Sequence, residues 1–288
     1  ISCSLVGSEM CIRDRYQMMA YYTKREPDLY TDAILKALNG HTMAVELVAK
    51  QMALHQLTSR EMYEKLCAEG ISGDGGKVRQ LKDSTLREKT AFHHMEILFS
   101  VLDLSESEKQ VLRCAALVGA TSMERQYFEV ISDLNEAEIS SLDRLIQSGW
   151  ISEVYQNEMC TLSTHPLIVE VLCEKLRPNS RECKRILIMS GAVASYIEKS
   201  ENAEQRFLSV QWLDHMAHHI QGDDPELSYF FGTMCYPHSS VLSELGEFQD
   251  CNIIAAEALE CFQKNFGELH EQMQWAYLMA VSYTHLRA

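Results

Sequence analysis

Residues 150–172 read WISEVYQNEMCTLSTHPLIVEVL, and how this stretch folds decides the architecture of the chain. Trp150, Ile151, Val154 and Tyr155 supply β-branched and aromatic residues for one short strand. Met159, Thr161 and Leu162 supply the partner, and a turn near Gln156-Asn157 joins the two as a hairpin. His165 and Pro166 then open an apolar helical run: proline fits a first helical turn, where its missing N–H costs nothing.

Upstream, the pattern is helical. Ser105 with Glu108 and Asn135 with Glu138 have the spacing of capping boxes, in which a side chain and a carboxylate satisfy the amides left orphaned at a helix start. Between Leu104 and Leu176 the expected order is therefore three helices, a short hairpin and a helix, which is the order of a winged helix.

Further toward the N-terminus, Val45, Val48, Ala49 and Met52 fall at i, i+3, i+4 and i+7 and line one helical face. Gly40 is expected to separate two helices, and Thr58 with Glu61 opens another that runs toward Ala68. The loop GISGDGG, residues 70–76, invites comparison with a phosphate-binding loop, G-x-x-x-x-G-K-[ST], and fails it twice. Ile71 stands where Lys77 requires the first glycine, and Val78 replaces the magnesium-binding hydroxyl. The segment before it, EMYEKLCAE, is helical, so the buried strand that would aim the loop is missing as well. After Arg177-Pro178 the helical pattern resumes to about Ile220, where QGDDPEL interrupts it.

Composition narrows the function classes. The chain has 288 residues, 46% of them hydrophobic and 23% charged, which suits several globular domains. A formal net charge of −15 opposes binding to nucleic acid, whose affinity rests on lysines and arginines that displace counterions. The candidate recognition segment, Asn135 to Trp150, sets Glu136, Glu138 and Asp143 against Arg144, a balance of one minus three, or −2. Ten scattered cysteines, with no C-x-x-C pair, read as reduced cytoplasmic thiols. No apolar run reaches the length of a membrane span. A G-x-S-x-G elbow or comparable nucleophile signature is absent, so the chain itself is not expected to be an enzyme. His215, His218 and His219 share a helical face at i, i+3 and i+4, but no carboxylate or thiol is placed to finish a site, and no metal is expected. His93 and His94 are expected to be one exposed and one packed, since adjacent helical residues point about 100° apart.

Three segments together resemble one architecture. ILKALNGHTMAVELVAKQM, residues 34–52, resembles the helical region that follows the nucleotide-binding core of NB-ARC (STAND-class) signalling ATPases, with Gly40-His41-Thr42-Met43-Ala44 where a G-L-P-L-A motif is expected. The resemblance implies that Gly40, His41 and Thr42 lie at the adenine side of a bound nucleotide; a plain helix–helix turn at Gly40 fits the residues equally well. CTLSTHPLIVEVL, residues 160–172, resembles the end of that family's winged-helix domain, where the histidine of a Met-His-Asp-type motif senses nucleoside diphosphate. His165 is the matching residue, with Thr164 and Pro166 in place of the methionine and aspartate; the alternative is that His165 simply caps its helix. LGEFQDCNIIAAEALECFQKNFGELHEQMQWAYLMA, residues 245–280, resembles one tetratricopeptide unit, the match being carried by Leu245, Gly246, Phe248, Ala258, Leu259 and Phe262.

The expected fold is thus mainly α: a helical ARC-like domain over 16–95, a winged helix with a small β-hairpin over 96–178, a helical linker array over 179–236 and tetratricopeptide-like repeats from 237 to 280. Residues 4–15, SLVGSEMCIRDR, and 281–288, VSYTHLRA, resemble translated sequencing-adaptor read-through, so 1–15 and 281–288 are set aside as foreign and the chain is expected to be truncated at both ends. The resemblance implies a fragment of a switch controlled by ATP or ADP, with the nucleotide held by the intact parent and protein partners bound through the repeats, self-association of the parent being a further option. The alternatives are a repeat-containing transcription regulator that places the winged helix on DNA, and a helical protein-binding scaffold without nucleotide control.

Overall fold

A computed structural model describes residues 12–39, 41–69, 84–136, 138–156 and 159–220, and residue 256. Gly40, the 70–76 loop and, Ala256 apart, the 245–280 segment lie outside the described residues. The described chain is mainly helical, with eleven helices and a small three-stranded antiparallel sheet. It divides into two compact units, one formed by residues up to Ser105 together with Asp143–Ile151, the other by Glu106–Leu142 and the residues from Ser152 onward.

The first unit contains α1 (Ile12–Thr23), α2 (Leu29–Ala37), α3 (Thr42–Leu54), α4 (Ser59–Ala68) and α5 (Ser84–Ser100). Its centre is α3, where Ala44, Val45, Leu47, Val48, Ala49 and Met52 are all buried. The apolar face read from the sequence is therefore wider than one stripe, because α3 packs against α1, α4 and α5. Asp28 organises two helix starts at once. It caps α2, accepting from the Thr31 amide at 2.8 Å, and also accepts from the Ser59 hydroxyl at 2.5 Å, tying in the first residue of α4. The Ser59 hydrogen bond, foremost, holds the Asp28 carboxyl below its ordinary range. Thr58 and Glu61 form the expected capping box, with the Thr58 amide donating to Glu61 Oε2 at 2.8 Å and the Glu61 amide to Thr58 Oγ1 at 3.2 Å.

Trp150 belongs to this unit and is 1% exposed, packed edge-on against Phe99 with ring centroids 5.8 Å apart. The turn before it works only with glycine. Gly149 has φ +85°, and a Cβ there would sit 2.9 Å from Lys50 Cδ and 3.2 Å from Leu47 Cδ2 on α3. Trp150 and Ile151 thus fill a helical core instead of opening the hairpin, and the strand starts at Ser152.

The second unit contains α6 (Glu106–Val118), β1 (Met123–Glu124), α7 (Arg125–Ile131), β2 (Ser152–Gln156), β3 (Met159–Ser163), α9 (Pro166–Leu176), α10 (Lys184–Ile197) and α11 (Ala203–His219). The division between units falls inside α8 (Ile139–Gln147). Here α6 is the central helix, with Val111, Leu112 and the run Cys114–Val118 buried beneath α9 and α11. The strands lie in the order β1-β3-β2, Met123 opposite Leu162 and Glu153 also opposite Leu162 on the other side. β1 has two residues, too few for a periodic signal, and sequence reasoning missed it. Arg125 at the start of α7 locks the sheet edge, reaching Glu129 and Glu153 at 2.7 Å each. The Asn135–Glu138 pair forms its reciprocal hydrogen bonds at 3.2 and 3.1 Å ahead of α8. No helix among the described residues is long and apolar enough to cross a membrane.

Truncating Trp150 to alanine removes the largest apolar side chain of the first unit, and we expect a loss of about 3–5 kcal/mol. Urea denaturation followed by far-UV circular dichroism measures it; a loss under about 1 kcal/mol would contradict the packing of Trp150 against Phe99.

Candidate functional site

Of the histidines singled out by sequence, His41 and His165 occupy helix starts, one in each unit. His41 is the N-cap of α3, its Nδ1 accepting from the Ala44 amide at 3.4 Å. Thr42, half-buried, is the first residue of α3. His165 is the N-cap of α9, with φ −62° and ψ 137°, its Nδ1 accepting from the Leu167 amide at 3.2 Å, and Pro166 takes the first helical position. The cap alternative weighed for His165 is therefore observed.

Capping has a chemical consequence. An amide donates, so Nδ1 of each ring must present a lone pair; the ring proton of the neutral imidazole then sits on Nε2, which becomes a donor. Desolvation lowers the His165 pKa from its ordinary value, which favours that neutral form. An Nε2–H donor beside the orphan amides of a helix N-terminus is a combination suited to an anionic oxygen.

His94 on α5 is the feature that sequence only half disclosed. It is 7% exposed while His93 is exposed, as the packing of adjacent helical residues predicted. Its Nδ1 has no hydrogen-bond partner among the described residues. Burial first, and then the neighbouring His41 and His93, push its pKa down to about 4. The apolar run Met95, Ile97, Leu98 was the legible signal for packing; the proximity of His41 across the α3–α5 contact was not legible.

The described cysteines, Cys67, Cys114, Cys160, Cys173 and Cys183, are free thiols. Burial raises the pKa of Cys114 to about 12, and of Cys173 and Cys183 to about 11, so these three remain neutral at physiological pH. Among the described residues no group of three or more histidine, cysteine or acidic side chains converges on a point that would hold a metal ion. No family model matches the chain, and no curated protein sequence matches it at a significant level.

His94 makes a pH prediction. Its folded pKa lies below its unfolded value, so the unfolded chain binds the proton more readily: the stability is complete above about pH 6.5 and is lost as pH falls toward about 4. Full protonation costs on the order of 3 kcal/mol. His94→Leu should flatten the stability profile between those values relative to the unsubstituted chain, measured by urea denaturation at stepped pH; parallel profiles would refute the assignment.

Proposed function

We propose that this chain is the regulatory part of a nucleotide-controlled signalling switch of the NB-ARC (STAND) class, contributing the helical and winged-helix modules that hold a diphosphate-bound state. The observation that carries the reading is His165: exposed at the start of α9, its Nδ1 committed to the cap, it leaves Nε2–H as a donor for a phosphate oxygen at a helix N-terminus. The order α6-β1-α7-α8-β2-β3-α9, with β1 and β2 flanking β3, supports the winged helix expected from the sequence.

In this reading ADP or ATP is bound by the intact parent, His165 contacts phosphate, and Gly40, His41 and Thr42 border the adenine side. The position of His41 at the N-cap of α3 is compatible with that placement. The hairpin supports a protein rather than a nucleic-acid partner: Val154, Tyr155 and Met159 expose apolar surface, and no basic stripe accompanies them. A cytoplasmic location and repeats that bind protein partners complete the proposal.

The parent coding region decides the matter first: a G-x-x-x-x-G-K-[ST] motif after an apolar strand is required, and continuous coding sequence without one sinks the proposal. In the protein so encoded, His165→Asn preserves an N-cap acceptor but removes the imidazole Nε2–H. We expect unchanged thermal stability with ADP released about tenfold faster or more, the scale of one charge-assisted hydrogen bond. Unchanged ADP release would leave His165 with only its capping role.

A further inference from the structure

One edge of the small sheet is open. The strands lie in the order β1-β3-β2, so β3 is enclosed and the outer strands are β1 and β2. β1 is two residues long and passes directly into α7, which leaves it too short to template another chain. β2 has five residues, and among the described residues no strand lies on its far side. Its sequence, SEVYQ, contains neither the lysine nor the proline with which sheets commonly blunt an edge.

The direction of the backbone groups along β2 follows from Thr161. Its hydroxyl donates to the Val154 carbonyl oxygen at 3.4 Å, and Thr161 is the residue opposite Val154 on β3. That carbonyl therefore points at β3. In an antiparallel strand the N–H and C=O of one residue share a side, and the side alternates from residue to residue. The N–H and C=O of Glu153 and Tyr155 accordingly point away from β3, toward the open edge. Side chains alternate between the two faces, and Val154, 50% exposed, shares the solvent face with Met159, 42% exposed.

We propose that the partner this edge takes is a second copy of the chain, its β2 laid antiparallel with Val154 opposite Val154 across a two-fold axis. In this register Tyr155 of each copy faces Glu153 of the other. Each such pair exchanges two backbone hydrogen bonds, two pairs giving four in all. The two Val154 residues form the narrow pair without hydrogen bonds between them, where β-branched side chains lie closest, and Thr161 of each copy extends the row. Charge selects the same register. Glu153 is the only charged residue of β2. Centring the axis on Glu153 would set two carboxylates face to face, whereas centring it on Val154 lets Glu153 meet a tyrosine and keep its 2.7 Å contact with Arg125. Each copy has one open edge of useful length, so pairing closes at two chains, with three strands from each, and does not propagate. The surface involves neither His165 nor a nucleotide.

Sedimentation equilibrium of the full chain tests the proposal, in about 0.15 M salt to screen the repulsion that a net charge of −15 brings. We expect a concentration-dependent shift from 32.9 kDa to twice that mass. Val154→Lys sets like charges opposite each other and should weaken the pairing at least about tenfold. Val154 is half-exposed, so the variant keeps its fold, as far-UV circular dichroism checks. Val154→Glu should weaken the pairing likewise, and an equimolar mixture of the two variants should pair again, lysine opposite glutamate. A chain that stays monomeric up to about 1 mM overturns the proposal. So do dimers that survive Val154→Lys, which would place the contact elsewhere, and a mixture of the two variants that does not pair.

Discussion

Every helix that starts against a packed core brings amide groups that its own turns cannot satisfy, and the architecture of this chain rests on how those amides are met. The solutions are side chains in or beside the cap: Asp28 and Thr58 in the first unit, Asn202 before α11, and histidine at α3 and α9. Asp28 shows how much one such residue can organise, since its carboxylate serves both the Thr31 amide and the Ser59 hydroxyl and so fixes α2 relative to α4. With its start met by His41, α3 brings a wide apolar face into the core of the first unit.

The histidines illustrate how local hydrogen bonding sets chemistry for a single residue type. His41 and His165 accept through Nδ1 and therefore offer a donor at Nε2, suited to an anion. His215 and His219 instead set Nδ1 against carbonyl oxygens, so each neutral ring donates there and keeps its lone pair at Nε2. His94, buried without a partner for its Nδ1, is kept neutral by desolvation. Composition counts 11 histidines and treats them alike; the backbone group opposite Nδ1 separates them.

Much of the fold was legible because its signals are local. The Thr58–Glu61 and Asn135–Glu138 spacings announced hydrogen bonds that form within four residues, and the apolar periodicity of residues 45–52 announced α3. The hairpin was legible too, although its first strand is shorter at the start than the sequence suggests. Trp150 and Ile151 look like strand residues by type, and local propensity yields there to burial beside Phe99. β1 left no trace in the sequence, because two residues have no period and their pairing with Leu162 and Thr161 spans almost forty positions.

The sequence by itself determined the helical class, the caps at Thr58 and Asn135, the hairpin and the histidine at the head of α9, since each depends on residues near one another along the chain. Only the tertiary structure decided that α3 and α6 lie at the centres of two separate units, that His94 sits buried within reach of His41, and that Gly119 admits the His215 ring. Those outcomes depend on which distant surfaces exclude water from one another, and exclusion of water is a property of packing that no local pattern encodes.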